Sequence, residues 1–280
     1  MSMEQIPEGV GRTAIGVARA RARESARPDR LFNDPYAAAF VAADGRAERA
    51  APTGAPSPAL RTMARHLVLR TRFFDDYLVA AAEAGCHQVV TLAAGLDTRA
   101  FRLDWPAGTR FFELDMPAVL AFKERVLAEQ GAEPAGPRAV IAADLREDWA
   151  AALTKAGFDA AVPTVWLVEG LLVYLEAEDA AAILSTVTEL SAPGSRLALT
   201  HRPGGPDHPV RTDPNGPEQA APELADVVAL WIGGLTEDPS DWLNRNGWRA
   251  QWHDRAEVAV ALGRGADYIS PRPGYLTAER

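Results

Sequence analysis

Residues 89–115 read VVTLAAGLDTRAFRLDWPAGTRFFELD, and this stretch decides the fold. Val89, Val90, Thr91 and Leu92 form a short β-branched and aliphatic run, the composition of a strand buried on both faces. Ala93, Ala94 and Gly95 follow, small residues at which the backbone can turn sharply or admit a ligand. Asp97 and Thr98 suit a helix start, because either side chain can accept from the unpaired N–H groups of a first turn. Phe111 to Leu114 makes a second strand that closes on Asp115. Strand, small-residue turn, helix and strand-ending acid make up the nucleotide-binding half of a doubly wound sheet. Asp115 follows Gly95 by about 20 residues, the offset at which a carboxylate meets ribose hydroxyls. Glycine turns followed by acids also occur in α/β cores that bind nothing, so a structural turn is the alternative.

The turn also bears on which nucleoside fits. A dinucleotide needs two or three glycines for its pyrophosphate to approach a helix N-terminus. Only Gly95 is present, and Asp97 places a negative charge where phosphates would sit, which Coulomb repulsion disfavours. S-adenosylmethionine has ribose and adenine, no phosphate, and a sulfonium cation. It suits this loop better than NAD.

Three separated motifs, LAAGLDTRAFRL (92–103), FFELDMP (111–117) and VEGLLVYL (168–175), closely resemble the leucine carboxyl methyltransferase family, notably its actinobacterial branch and its polyketide carboxyl methyltransferases. The resemblance runs from about Arg12 to the C-terminus. It implies an α/β, Rossmann-like class I methyltransferase fold with a seven-stranded, mostly parallel sheet. It also implies one domain with a helical cap (1–84), a cofactor-binding core (85–202), a lid insertion with helices (203–247) and antiparallel edge strands (248–280). The implied cofactor is S-adenosyl-L-methionine. The turn residues Ala93, Gly95 and Asp97, with Asp115 and Met116, would line its site. Arg70, in Leu69-Arg70-Thr71, would hold the carboxylate of its methionine part in preference to Arg72, and Arg23 would approach it from the first helix. Arginine suits a carboxylate because its planar fork binds through two bonds. The sequence departs from the commonest family wording at Ala93, where glycine is frequent.

Further strands read at 139–144 and 165–169, closed by Asp144 and Glu169, and at 196–200, followed by His201. Open α/β sheets bind ligands outside the carboxyl ends of their strands, and Asp97, Asp115, Asp144 and Glu169 all fall there. Asp144 could accept from an adenine amino group while the Leu145 amide meets a ring nitrogen; a helix-capping role is the alternative. Helices are expected at 12–24, 60–84, 117–130, 177–190 and 223–235, with a short one from Asp238. The proline-broken segment 203–222 is expected to be an irregular lid. Strands at 248–252 and 274–279 would pair at the sheet edge.

The net charge of −9 argues against a nucleic-acid binder. Cys86 is the sole cysteine, which excludes an internal disulfide and a thiolate cluster, and the five histidines lack metal-ligand spacing, so no metal is expected. No apolar run reaches membrane-spanning length and the N-terminus lacks a signal-peptide core, so a cytoplasmic protein is expected. The family resemblance implies a small-molecule acceptor of natural-product type. A carboxylate acceptor is already ionised and needs no base. A hydroxyl needs one, for which Tyr174 and His201 are the candidates. Phe73 or Tyr174 could face the sulfonium through cation–π attraction. A protein's C-terminal carboxylate, an NAD-linked oxidoreductase and a non-catalytic binder are the competing readings.

Overall fold

The computed structural model describes residues 10–44, 57–201, 225–265, 268–269 and 273–280. The expected lid at 203–222 lies outside the described residues. Five parallel strands form first: β1 (Gln88–Leu92), β2 (Arg110–Asp115), β3 (Arg138–Ala142), β4 (Thr164–Val168) and β5 (Arg196–Leu199). The chain then adds β6 (Arg249–Asp254) and β7 (Pro273–Glu279), and the sheet runs β3-β2-β1-β4-β5-β7-β6. β7 is antiparallel to both its neighbours, so the sheet is mixed and mostly parallel, as expected.

β1 and β4 lie at the centre and are buried along their whole length. That burial follows from their Val, Leu and Trp content, since a central parallel strand is covered on both faces. Trp166 of β4 and Phe112 and Leu114 of β2 are at most 1% exposed, and each such side chain contributes roughly 1.5–3 kcal/mol by leaving water. The chain moves outward one way from β1 through β2 to β3, and the other way through β4 and β5. The strand order therefore reverses between β1 and β4, where an open α/β sheet forms its crevice.

Three helices precede the sheet: α1 (Val10–Ser25), α2 (Ala37–Ala43) and α3 (Pro58–Glu83). α3 starts cleanly because Ser57 accepts from the Leu60 amide and Pro58 occupies the first turn. Its buried stripe of Leu69, Phe74, Leu78 and Ala81 packs with Val89 and Val165 of the sheet. α1 and α2 form a second layer, with Ile15, Ala18 and Phe40 meeting Leu96 and Phe122. Between the strands lie α4 (Arg99–Arg102), α5 (Pro117–Glu129), α6 (Trp149–Lys155) and α7 (Ala177–Glu189). After β5 come α8 (Ala225–Val228), α9 (Pro239–Arg245) and α10 (Arg255–Ala261).

Three local expectations change. α6 is capped by Asp148, whose carboxylate accepts from the Ala151 amide, and not by Asp144. The helix expected over 223–235 ends at Val228, and the chain then pairs with a one-turn helix at Leu172–Tyr174 instead. The Ile232 and Gly233 amides donate to the Val173 carbonyl at 2.8 and 3.1 Å. Gly234 (φ +77°) permits this approach, since a Cβ there would stand 2.8 Å from the Leu172 carbonyl oxygen. α10, which the sequence reading lacked, begins where Asp254 accepts from the Ala256 and Glu257 amides.

Candidate functional site

The turn after β1 is built from backbone that L-residues resist. Ala93 (φ +52°) and Gly95 (φ +50°) both adopt the left-handed region, and Ala93 is the sole non-glycine to do so among the described residues. Each such alanine carries about 1–2 kcal/mol of strain. Ala93→Gly is thus expected to raise stability by up to about 1 kcal/mol, part of the relief being lost to the freer unfolded chain. Urea unfolding followed by circular dichroism measures this, and a destabilised variant would show that the methyl group packs usefully. A Cβ added at Gly95 would stand 3.7 Å from that of Ala14, so α1 lies directly over the turn.

The carboxylate of Asp115 closes the turn from below. The Gly95 amide donates to one oxygen at 2.6 Å and the Met116 amide to the other at 2.7 Å. Burial pushes this carboxyl upward, against the two amide bonds that favour its ionised form. Among the described residues it has no ion-pair partner, so spare lone pairs remain for uncharged donors such as a ribose diol. Met116, beside it, is 46% exposed.

Asp97 is placed differently from the sequence expectation. Its carboxylate turns into the fold, accepts from the Arg99 amide at 2.7 Å and closely pairs with the Arg99 guanidinium. Burial is the largest influence on it and opposes ionisation, yet Arg99, helped by Lys123 and Arg21, holds it well below the usual carboxylate range. Its charge is therefore compensated, and repulsion by Asp97 is no longer the reason to exclude a pyrophosphate. Geometry supplies another: α4 has four residues, and its first amide is already taken by Asp97. A short, capped turn offers little of the N-terminal amide array that holds a pyrophosphate.

Glu169, just beyond β4, stands 2.6 Å from Arg70 Nε through one oxygen and 2.8 Å from Arg99 Nη1 through the other. Burial opposes its charge, but Arg99 and Arg70 bring the carboxyl below its ordinary range. Arg70 thus reaches the crevice, whereas Arg72 points away, bonded to Asp76 at 2.9 Å and the Leu31 carbonyl at 2.8 Å. Arg23 is exposed and is not brought to the turn. The arginine of α1 that is brought there is Arg21, which donates to the Leu96 carbonyl at 2.6 Å and lies 3.2 Å from Asp34. Asp34 in turn accepts from Thr98 Oγ1 at 2.8 Å, tying the helical cap to the turn. The sequence held one signal for Arg21: it follows Ala14 by two helical turns, on the face that carries Ala18.

Asp144 follows β3, and exposed Arg146 engages both its oxygens, at 2.6 and 2.9 Å, which lowers its carboxyl to about 2. Leu145 packs against the core beside Ala143. Tyr174 sits half-buried in the one-turn helix, and His201 is buried just after β5, both on the β4–β5 half of the edge. Phe73 stacks on Tyr275 at 4.9 Å and meets His253 at 4.8 Å, an aromatic cluster of α3 and the edge strands. Among the described residues, no helix is long and apolar enough to cross a membrane and no group of three or more His, Cys, Asp or Glu is placed to hold a metal ion.

A mixed sheet in this order, with a tight turn after β1 and an acid ending β2, defines the Rossmann-like methyltransferase class. A Thermobifida fusca methyltransferase candidate of known structure superposes with a TM-score of 0.56 at 19% identity, covering 93% of each chain. A DUF574-family protein from Streptomyces avermitilis does so with the same TM-score, covering 94% of this chain and 96% of its own. The chain belongs to the leucine carboxyl methyltransferase family, whose model matches residues 14–188. A Frankia alni protein is 51% identical over 280 residues, covering 99% of this chain and 96% of its own. A second relative, from Streptomyces avermitilis, is 44% identical over 261 residues, covering 92% of this chain and 89% of its own. Both bear the name of a candidate S-adenosyl-L-methionine-dependent methyltransferase.

Proposed function

We propose that this protein is an S-adenosyl-L-methionine-dependent O-methyltransferase acting on a carboxylate of a small, natural-product-type molecule. The observation that carries the reading is Asp115: a half-buried acid at the end of β2, bound to the glycine turn and without an ion-pair partner among the described residues. Two ribose hydroxyls would supply the donors that such a carboxylate lacks, and the relatives' names agree. The family takes its name from carboxyl methylation.

When bound, the cofactor supplies an electrophilic methyl group on sulfur. The residues here would hold its three ends apart: Asp115 and Met116 the ribose side, Asp144 and Leu145 the adenine, Arg70 the amino-acid carboxylate. An acceptor carboxylate is already a nucleophile at neutral pH, so the chain's work is to align it and keep water out. For a hydroxyl acceptor, His201 or Tyr174 would remove the proton.

The test is incubation with S-adenosylmethionine and paired acids and alcohols of the same skeleton, scored by S-adenosylhomocysteine and product mass. Methyl esters from the acids alone are expected. Methyl ethers from the alcohols alone would overturn the carboxylate assignment, and failure to bind S-adenosylmethionine in calorimetry would overturn the methyltransferase reading. In the same assay format, Arg70→Ala should weaken S-adenosylhomocysteine by about 10–100-fold, the worth of a charge-assisted bond. It should leave 5′-methylthioadenosine, which lacks the amino-acid end, within about twofold. Equal losses would place Arg70 elsewhere.

A further inference from the structure

The sequence reading gave Arg99 no role, yet it is the most connected side chain at the site. Its side chain is 7% exposed and touches acids from three separate parts of the chain. Nε donates to Asp75 of α3 at 2.7 Å, and Nη1 serves both Asp97 of the turn and Glu169 beyond β4. Arg102 closes the back of the cluster, its two Nη atoms each 2.7 Å from an Asp75 oxygen. Arg70 completes it on the crevice side. Three guanidinium groups thus balance three carboxylates, Asp75, Asp97 and Glu169, in a space where one uncompensated charge costs several kcal/mol.

That balance has a direction. Glu169 has two oxygens, and Arg99 occupies one while Arg70 Nε stands against the other. The Arg70 contact is a close ion pair without a well-aligned N–H···O bond, so Glu169 restrains Arg70 electrostatically and leaves its terminal nitrogens for another partner. Gly170 (φ +68°) lies beside them: a Cβ there would be in ordinary contact with Arg70 Nη1, at 3.6 Å. Without Arg99, Glu169 would be free to swing toward Arg70 and take its fork bidentately, the geometry that a guanidinium and a carboxylate favour. Arg70 would then be lost to a ligand.

We propose that Arg99 is a positioning residue for the amino-acid end of the cofactor, acting on Arg70 through Glu169. The inference rests on the methyltransferase reading above and on the role given there to Arg70. It predicts a loss confined to ligands that carry the amino-acid end, whereas a purely structural Arg99 would affect all nucleosides alike.

The experiment uses the full chain, calorimetry, and two probes, S-adenosylhomocysteine and 5′-methylthioadenosine. Arg99→Lys keeps the charge but cannot serve three acids at once. It should weaken the first probe about tenfold and the second by no more than about twofold. Adding Arg99→Lys to Arg70→Ala should weaken S-adenosylhomocysteine no further, because the two changes remove one interaction. Glu169→Gln, nearly identical in size, removes the carboxylate that would take the Arg70 fork. Arg99→Lys combined with Glu169→Gln should therefore bind the first probe within about twofold of Glu169→Gln alone, and this pair carries the test if Arg99→Lys by itself does not fold. Equal losses for both probes, or additive losses in either double variant, would overturn the proposal. A wild-type protein that binds neither probe would instead overturn the cofactor assignment beneath it.

Discussion

Replacing Glu113 with glutamine is expected to destabilise the protein by about 3–5 kcal/mol, because it strands a buried lysine. Lys123 of α5 is 0% exposed, and its Nζ lies 2.5 Å from Glu113 on β2. Arg138 of β3 reaches the same carboxylate oxygen at 2.6 Å and is held on its far side by Glu124, also at 2.6 Å. Glutamine has nearly the size of glutamate but no charge. Arg138 would retain Glu124, whereas Lys123 would lose its one ion-pair contact among the described residues and keep just the longer-range attraction of Asp97 and Asp115. A domain with roughly 5–15 kcal/mol of stability would lose a large share of it. Urea unfolding gives the figure directly, and a loss below about 1 kcal/mol would mean that water or a neutral amine already relieves the lysine. Replacing the pair together, Glu113→Leu with Lys123→Met, should recover much of the loss, since an apolar pair of similar volume is often as stable as a buried ion pair.

Asp115→Ala carries the largest expected effect on binding, a loss of about 1–3 kcal/mol in affinity for S-adenosylhomocysteine. Unlike Arg70→Ala, it should weaken 5′-methylthioadenosine equally, because both compounds present the ribose. Two contributions add: the hydroxyls lose their acceptor, and the Gly95 and Met116 amides lose theirs, which loosens the turn itself. Asp115→Asn separates them, since an amide oxygen can still receive one backbone bond. The pH dependence is a further check. Burial raises the Asp115 carboxyl, so on acidification it gains a proton earlier than an ordinary aspartate and surrenders acceptor capacity. Affinity should therefore fall on the acid side in the wild type, and Asp115→Asn should lack that component. Calorimetry showing unchanged affinity for Asp115→Ala would remove the ribose assignment.

The parts of the site that were legible in advance are those encoded by neighbours in sequence. Buried strands announce themselves by short β-branched runs, turns by small residues, and strand ends by acids. Residues 89–115 therefore yielded β1, the turn, β2 and Asp115 without reference to the rest of the chain. The seven-stranded sheet and its antiparallel edge came instead from family resemblance, and the strand order from the structure alone, because strand adjacency depends on contacts far apart in sequence. Arg21 and Arg23 could not be told apart by type: they are alike, two apart on a helix, and only the packing of α1 on the turn buries one and exposes the other. Asp144 and Asp148 posed the same problem, and the start of α6 decided between them.

By itself, then, the sequence determined β1, the small-residue turn after it and the acids at the ends of β2 and β4, since local hydrophobic pattern and backbone freedom suffice for that. Only the tertiary structure decided how its charges are shared. Asp97 meets Arg99 two residues away, but Arg99 meets Asp75 and Glu169 across 24 and 70 residues. Such pairings follow from where folding brings the side chains and from the need to neutralise every charge removed from water.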